Sequence, residues 1–256
     1  MISTALRSCR VLAHQVASNT ASQLLTIKQI NEVLATHVAA LPSCKNIVHD
    51  PKKEHSVADS IDSVVIPLAQ TLLSDLDTFA VWLSYKHNQG PEVPMGSPNH
   101  PPMIAVTACV DKINLQNRVI RSDLDIIMSG MVTWVGRSST EITMHLAQKY
   151  GEDDLRDVLT ARFVMVSMEP TGKKSVPNVA LKLETEEDKA WFDKGEYAKN
   201  VRRSREQNSL FKTPPTEIER TMIHDLFLKA MDTSNMHGKL PENHVWMRDA
   251  RAKLEN

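Results

Sequence analysis

The clearest pattern along the chain is a change of hydrophobic period, from helical to alternating. Leu72, Leu73, Leu76, Phe79, Ala80 and Leu83 recur at i, i+3, i+4 and i+7, which builds one apolar stripe on a helix. His87-Asn88-Gln89-Gly90 supplies the stop, because Asn and Gly suit the residues that cap a helix C-terminus. Asp75 and Asp77 flank the stripe on opposite sides, each at the margin of a core. The Pro-, Gly- and Ser-containing stretch from Pro91 to Pro102 reads as a loop.

From Met103 to Met168 the period is two. Met103 to Ile113 reads as a strand that is apolar nearly throughout, and Leu124 to Val135 sets Asp125, Ser129 and Thr133 opposite Leu124, Ile126, Met128, Val132 and Trp134. Glu141 to Leu146 alternates cleanly, and Val158 to Met168 completes the set. Gly136-Arg137-Ser138-Ser139 and Tyr150-Gly151-Glu152-Asp153-Asp154 fall where hairpin turns belong, so successive strands pair antiparallel. The sheet has one apolar face to bury and the helix has one stripe. A sheet curved around that helix satisfies both. The expected fold class is therefore α+β: a hotdog fold, an antiparallel β-sheet wrapped around a central α-helix, with a helical C-terminal extension.

The flanks are read by composition. Residues 1–60 carry no clear core pattern and are taken as a mitochondrial presequence and linker. Met1 to Asn31 contains no acidic residue, while Arg7, Arg10 and Lys28 are basic, as in an amphipathic import signal; the plainer alternative is a polar N-terminal helix. Val64 to Leu68 reads as an edge strand ended by Pro67. The hotdog domain is placed at 61–170, and 171–256 is read as a charged helical extension and linker. In that extension Lys182 to Asn208 is helical in part and Pro214-Pro215 stops it. Thr216-x-x-Glu219 then caps a helix with Ile218, Met222, Ile223, Leu226, Phe227 and Ala230 on one face.

Composition narrows the function classes. Apolar residues make up 41% and charged residues 24%, as in a globular, soluble protein. Thirty Lys plus Arg against 31 Asp plus Glu leave no basic excess for nucleic acid or a membrane surface. No apolar run reaches the roughly 20 residues of a membrane span. Cys9, Cys44 and Cys109 are far apart, which argues for a reducing compartment, and Cys109 is expected as a small buried hydrophobe. No His/Cys/Asp group has metal spacing and no glycine-rich phosphate loop occurs.

Several stretches, in order from about Asp62 to Leu254, resemble one family. They are Asp75-Leu76-Asp77 with Tyr85-Lys86-His87-Asn88, then Val106-Thr107-Ala108-Cys109-Val110-Asp111-Lys112-Ile113, and Ser129-Gly130-Met131-Val132-Thr133-Trp134-Val135-Gly136-Arg137-Ser138-Ser139. Phe163-Val164-Met165-Val166, Glu219-Arg220-Thr221-Met222-Ile223-His224 and Val245-Trp246-Met247 extend the likeness. The chain resembles the mitochondrial acyl-coenzyme A thioesterase 9 family, double-hotdog acyl-CoA hydrolases. The resemblance implies hydrolysis of fatty acyl-CoA to free acid and CoA in the mitochondrial matrix, with no cofactor, since CoA is part of the substrate. It also implies an acid on the central helix as general base or water-orienting group, and a helix N-terminus from a facing unit to polarise the carbonyl.

Matched from His87, that acid is Asp77; the periodicity alone leaves Asp75 and Asp77 open, and a solvated helix-face carboxylate is the plainer reading of Asp77. Arg137 and Ser138 are candidates for the phosphates or pantetheine of CoA, beside the plainer reading of a surface turn. His87 and His145 are read as structural or exposed. A hotdog dehydratase is a third reading, disfavoured because His87 falls at the far end of the helix.

Two departures from the family pattern are expected to matter. Pro67-Leu68-Ala69-Gln70-Thr71 joins the first strand to the helix without the relatives' longer glycine-containing turn, and no second hotdog follows Val245-Trp246-Met247 before Asn256. The expected partners are therefore a second copy or a full-length paralogue. The alternative function is a non-catalytic hotdog that binds CoA or co-assembles with that paralogue.

Overall fold

In the computed structural model the described residues are 24–41, 53–66, 72–95, 97, 102–116, 120–121, 123–150, 154–209 and 211–230. The chain divides into two compact units, Met1–Tyr197 and Ala198–Asn256. The first unit holds a six-stranded sheet in the order β1-β3-β5-β6-β7-β4. Its strands are β1 (Leu25–Thr26), β3 (Asp62–Ile66), β4 (Ile104–Leu115), β5 (Ile126–Val135), β6 (Ser139–Lys149) and β7 (Leu155–Met168). All pairs are antiparallel except β1 with β3.

The central helix α3 (Leu72–Gln89) lies in the concave face of this sheet. (Helices α1, Ile27–Ala40, and α2, Val57–Ser60, precede it.) Leu76, Phe79, Ala80 and Leu83 of the α3 stripe are buried in one cluster with Met128, Val132, Ile142, Met144, Ala161, Phe163 and Met165 of the sheet. Each large side chain removed from water there contributes about 2 to 3 kcal/mol. Gly130 makes the close approach possible: a Cβ at that position would stand 2.6 Å from Leu83 Cδ1 and 3.2 Å from Phe79 Cε1.

The stop expected at the end of α3 is present. Gly90 takes a left-handed φ of 80° and its N–H donates to Lys86 O at 2.9 Å, closing the last turn. The same helix end is tied down by side chains. Val179 N–H donates to Asn88 Oδ1 at 3.0 Å, and Asn88 Nδ2 donates to Ser84 O at 2.9 Å. His87 Nε2 donates to Val179 O at 2.9 Å; a carbonyl only accepts, so this nitrogen carries the proton. Val179 leads into β8 (Ala180–Lys182), which pairs parallel with β2 (Glu54–Ser56) in a separate two-stranded ribbon. From β2, His55 Nδ1 donates to His87 O.

The flanks differ from expectation. Ile27, Ile30 and Leu34 of α1 are buried in the same core cluster as α3, so this part of residues 1–60 is structural, not presequence or linker. The stripe i, i+3, i+7 suits a folded surface helix and an import signal equally, and the acid-free run ends only at Glu32 inside this helix, which explains the misreading. Residues 1–23, where the rest of the presequence reading falls, lie outside the described residues. So do the Pro67–Thr71 connection and Val245–Met247. Strand β3 is not the edge, because β1 adds two residues outside it.

At the C-terminal side the sheet's convex face carries Trp134, whose Nε1 donates to Glu196 Oε2 at 2.9 Å and whose ring lies 6.4 Å from that of Phe192. Both partners lie on α4 (Glu186–Gln207). The packed region therefore runs past the 170 boundary read from sequence.

In the second unit, the N–H of Glu219 donates to Thr216 Oγ1 at 3.3 Å and that of Thr216 to Glu219 Oε2 at 2.8 Å, the capping box expected from sequence. It opens α5 (Glu217–Ala230), on which Ile218, Met222, Ile223, Leu226 and Phe227 are exposed.

Candidate active site

The site is built where α3 meets β4. Asp77 lies in the second turn of α3, half-buried at the margin of the stripe. Thr107 lies on β4, also half-buried, and its hydroxyl donates to Asp77 Oδ1 at 2.5 Å. A hydroxyl on a carboxylate is a strong bond of this type, and it fixes the carboxyl rotamer.

Local backbone explains why Thr107 reaches the helix. The register of β4 against β7 shifts between Thr107 and Cys109 and again between Val110 and Lys112. Bulges of this kind bend a strand and re-aim its side chains. Thr107 pairs with Met165, whose sulfur sits 3.4 Å from the Thr107 hydroxyl and whose side chain is fully buried. The carboxylate thus stands with a fixed polar partner on one side and apolar core on the other.

The periodicity left two acids open. Asp75 is buried in the first turn, whereas Asp77 is the half-buried one joined to the sheet. Asp77 and the proposed CoA contacts lie at the same end of the sheet. One row of paired residues runs Val135–Thr140–Met165–Thr107, and the Gly136–Ser139 turn closes it. Thr107 is therefore two strand spacings from Thr140, about 10 Å. The turn itself is held firmly: Asn178 N–H donates to Arg137 O at 2.7 Å and Ser167 N–H donates to Ser138 O at 2.8 Å. That leaves the Arg137 side chain exposed and Ser138 half-buried.

His87 is fully buried at the other end of α3, and burial lowers its pKa to about 4. His145 is buried on the convex face with Asp157 Oδ1 3.4 Å from its Nε2. Cys109 is half-buried, more accessible than the core residue expected. Among the described residues no group of three or more His, Cys, Asp or Glu is placed to hold a metal ion.

Three comparisons place the chain among known proteins. No family model matches it. It is 37% identical over 185 residues to mitochondrial acyl-coenzyme A thioesterase 9 of Bos taurus, across 71% of this chain and 41% of that one. It is 30% identical over 268 residues to mitochondrial acyl-coenzyme A thioesterase 9 of Mus musculus, across 94% of this chain and 59% of that one. The chain belongs to the acyl-coenzyme A thioesterase 9 family. It spans about half the length of these curated relatives. A solved structure of an apo-hexameric acyl-CoA thioesterase superposes with a TM-score of 0.50 at 18% identity, over 61% of this chain and 99% of that one. The fold is a hotdog.

Against that background, Thr107 is the residue that the sequence reading missed. It was quoted only as part of a matching stretch. The signal available was a lone hydroxyl within the apolar run 104–110 of β4, and nothing local says that it meets Asp77, 30 residues away.

Proposed function

We propose that the chain hydrolyses acyl-CoA thioesters. The observation that carries this reading is the Thr107–Asp77 bond, which holds a half-buried carboxylate in one rotamer where it can orient a nucleophilic water. Asp77 takes a proton from that water as its oxygen attacks the thioester carbonyl; the C–S bond then breaks and CoA leaves as the thiol after protonation. A thioester is already activated, so general-base help of about 10²–10⁴-fold from a positioned carboxylate is a sufficient role for Asp77. Thr107 acts as a positioning residue. Arg137 and Ser138, at the same end of the sheet, meet the phosphates or pantetheine of CoA.

Assembly with a second hotdog unit is part of the same proposal. Strand β4 is an edge strand of 12 residues, with Val106, Val110, Ile113 and Leu115 all at least 40% exposed along it. Long apolar edges of this kind invite another strand. The occupant is a second copy or a full-length paralogue. For localisation we propose the mitochondrial matrix, from the acid-free stretch ahead of Leu25 and the mitochondrial names of the relatives. No described helix is long and apolar enough to cross a membrane.

The test is thiol release from short- and long-chain acyl-CoA by the purified chain, run beside Asp77→Asn. Release that falls at least a hundredfold in the variant supports the reading. A folded chain that releases no CoA overturns it in favour of a non-catalytic hotdog that binds CoA or co-assembles.

A further inference from the structure

Two buried histidines meet at the C-terminal end of α3, and each is committed to a main-chain oxygen. The carbonyl of His87 would take its helical hydrogen bond from residue 91, but that residue is Pro91, which has no N–H. His55 of β2 supplies the missing donor through Nδ1, and His87 in turn donates through Nε2 to Val179 O, one residue ahead of β8. The parallel pairing of β2 with β8, His55 opposite Leu181, closes the triangle. Each ring is thus neutral, with its second nitrogen bare. His87 Nδ1 and His55 Nε2 are both buried and have no hydrogen-bond partner among the described residues. His55 Nε2 packs onto Gly90, where an added Cβ would run into it. The two rings stand edge to face, 5.8 Å apart between centroids.

A second proton on either ring has nothing to donate to. It would place a cation where His87 is wholly buried and His55 is 4% exposed, beside another ring that repels it when charged. The charged groups around the pair do not make up for this. Asp59 of α2 faces both rings and Glu92, after α3, faces His55; Lys53, ahead of β2, opposes them at His55. The other cations are engaged elsewhere, Lys86 of α3 with Asp62 and Lys182 of β8 with Glu184 and Glu54. Burial outweighs the carboxylates and holds the pKa of both rings below the ordinary value. Hydration of a charged ring therefore requires the ribbon to lift. The same stretch of chain fastens the turn assigned to CoA, because Asn178, next to Val179, donates its N–H to Arg137 O at 2.7 Å. We infer that His55 and His87 form an acid-released latch: a proton added to either ring lifts the β2–β8 ribbon from the end of α3 and lets go of the Gly136–Ser139 turn, while the six-stranded sheet stays folded. Release of the ribbon is independent of the acyl-CoA reading above; only its effect on CoA rests on that reading.

The latch is tested by amide hydrogen–deuterium exchange of the full chain, without CoA, at pH 7.5 and 5.0, each rate divided by the intrinsic rate at that pH. An open ring takes up its proton near pH 6.5, against about 4 for His87 when closed, so His87 alone favours opening about 25-fold across this interval. Protection at 54–61 and 176–182, which includes the Asn178 amide bonded to the turn, is expected to fall at least tenfold, while that of β6 and β7 holds. His55→Gln and His87→Gln each keep a donor and lose the titration, so each should shrink the fall and the double variant should abolish it. Should these variants not fold, ring-proton NMR of the wild-type chain replaces them: both rings must titrate together with the loss of ribbon protection. The inference is overturned if the ribbon keeps its protection at pH 5.0, if β6 and β7 lose theirs in step, if the double variant responds like wild type, or if the rings titrate apart from the opening. Calorimetric titration of CoA then reads the effect on the turn: from pH 7.5 to 5.0 affinity should fall at least fivefold more in wild type than in the double variant. Equal falls overturn the link to the turn. Absence of CoA binding at either pH overturns the CoA reading and leaves the latch standing.

Discussion

The two ends of α3 use similar residue types for opposite purposes. At its C-terminal end His87 and Asn88 are almost wholly buried, and both ring and amide are committed to the main chain of Val179. At its N-terminal end Asp77 is half-buried, and its Oδ1 accepts from Thr107. A buried polar group bonded to the main chain stabilises one structure, and removing a partner leaves a desolvated orphan. A half-buried polar group at the edge of a core is within reach of solvent and can act on something else. What differs is how deeply each group is buried, which decides whether a mutation is read in stability or in rate.

The largest expected effect tests the N-terminal end. Asp77→Asn keeps shape and can still accept from Thr107, but it is a far weaker base. Hydrolysis is expected to fall about 10²–10⁴-fold, with the unfolding midpoint in urea nearly unchanged. A variant that loses stability in step with activity would erase the contrast between the ends.

The C-terminal end is expected to answer to pH instead. Burial, the largest effect on His87, holds its pKa at about 4, with His55 lowering it and Asp59 and the bond to Val179 opposing. The unfolded chain takes up a proton on this ring near pH 6.5. Between these values the unfolded state binds more protons, so stability rises with pH from about 4 to 6.5 and is level above. The window is worth about 3 kcal/mol. Urea titrations across pH 4–8 should show that slope, and His87→Gln, which can still donate to Val179 O, should flatten it.

These two ends were not equally legible. The α3 stripe, the glycine stop and four of the strands followed from period alone, because burial on one face imposes period on sequence. Helix α1 did not, since its stripe of Ile27, Ile30 and Leu34 begins inside the acid-free run that ends at Asn31, and it matches an import signal as well as a core helix. The three residues of β8 are too few to show any period, yet they lie next to the main-chain group that clamps His87. At the site, Asp77 was singled out by resemblance and Arg137 by its turn. Thr107 was not singled out, because its role depends on register shifts in β4 that alternation cannot encode.

A smaller effect sharpens the same contrast. Thr107→Val keeps the shape and volume of the side chain while removing the bond to Asp77. Hydrogen bonds to charged groups are worth about 1.5–3 kcal/mol, which in a rate is roughly tenfold to a hundredfold. The loss is expected in kcat with KM little changed, since the hydroxyl orients the base and does not bind CoA. Thr107→Ser, which restores the hydroxyl, should recover most of the rate. Failure of serine to rescue would make Thr107 a packing residue and leave Asp77 unsupported.

The smallest effect concerns a residue at neither end of the helix. Arg137 is exposed, and its main chain, held by Asn178, is indifferent to the side chain. Arg137→Ala should therefore leave the fold and kcat alone. If the guanidinium meets a CoA phosphate in water, the pair is worth about 1 kcal/mol or less, so KM rises no more than about fivefold. The rise should shrink as salt screens the pair, and it should be absent with a truncated substrate carrying only the pantetheine arm. A KM that is unchanged at low salt would return Arg137 to an ordinary hairpin turn. The chemistry would then reside wholly at the α3–β4 corner, with CoA held by surfaces that a second hotdog unit supplies.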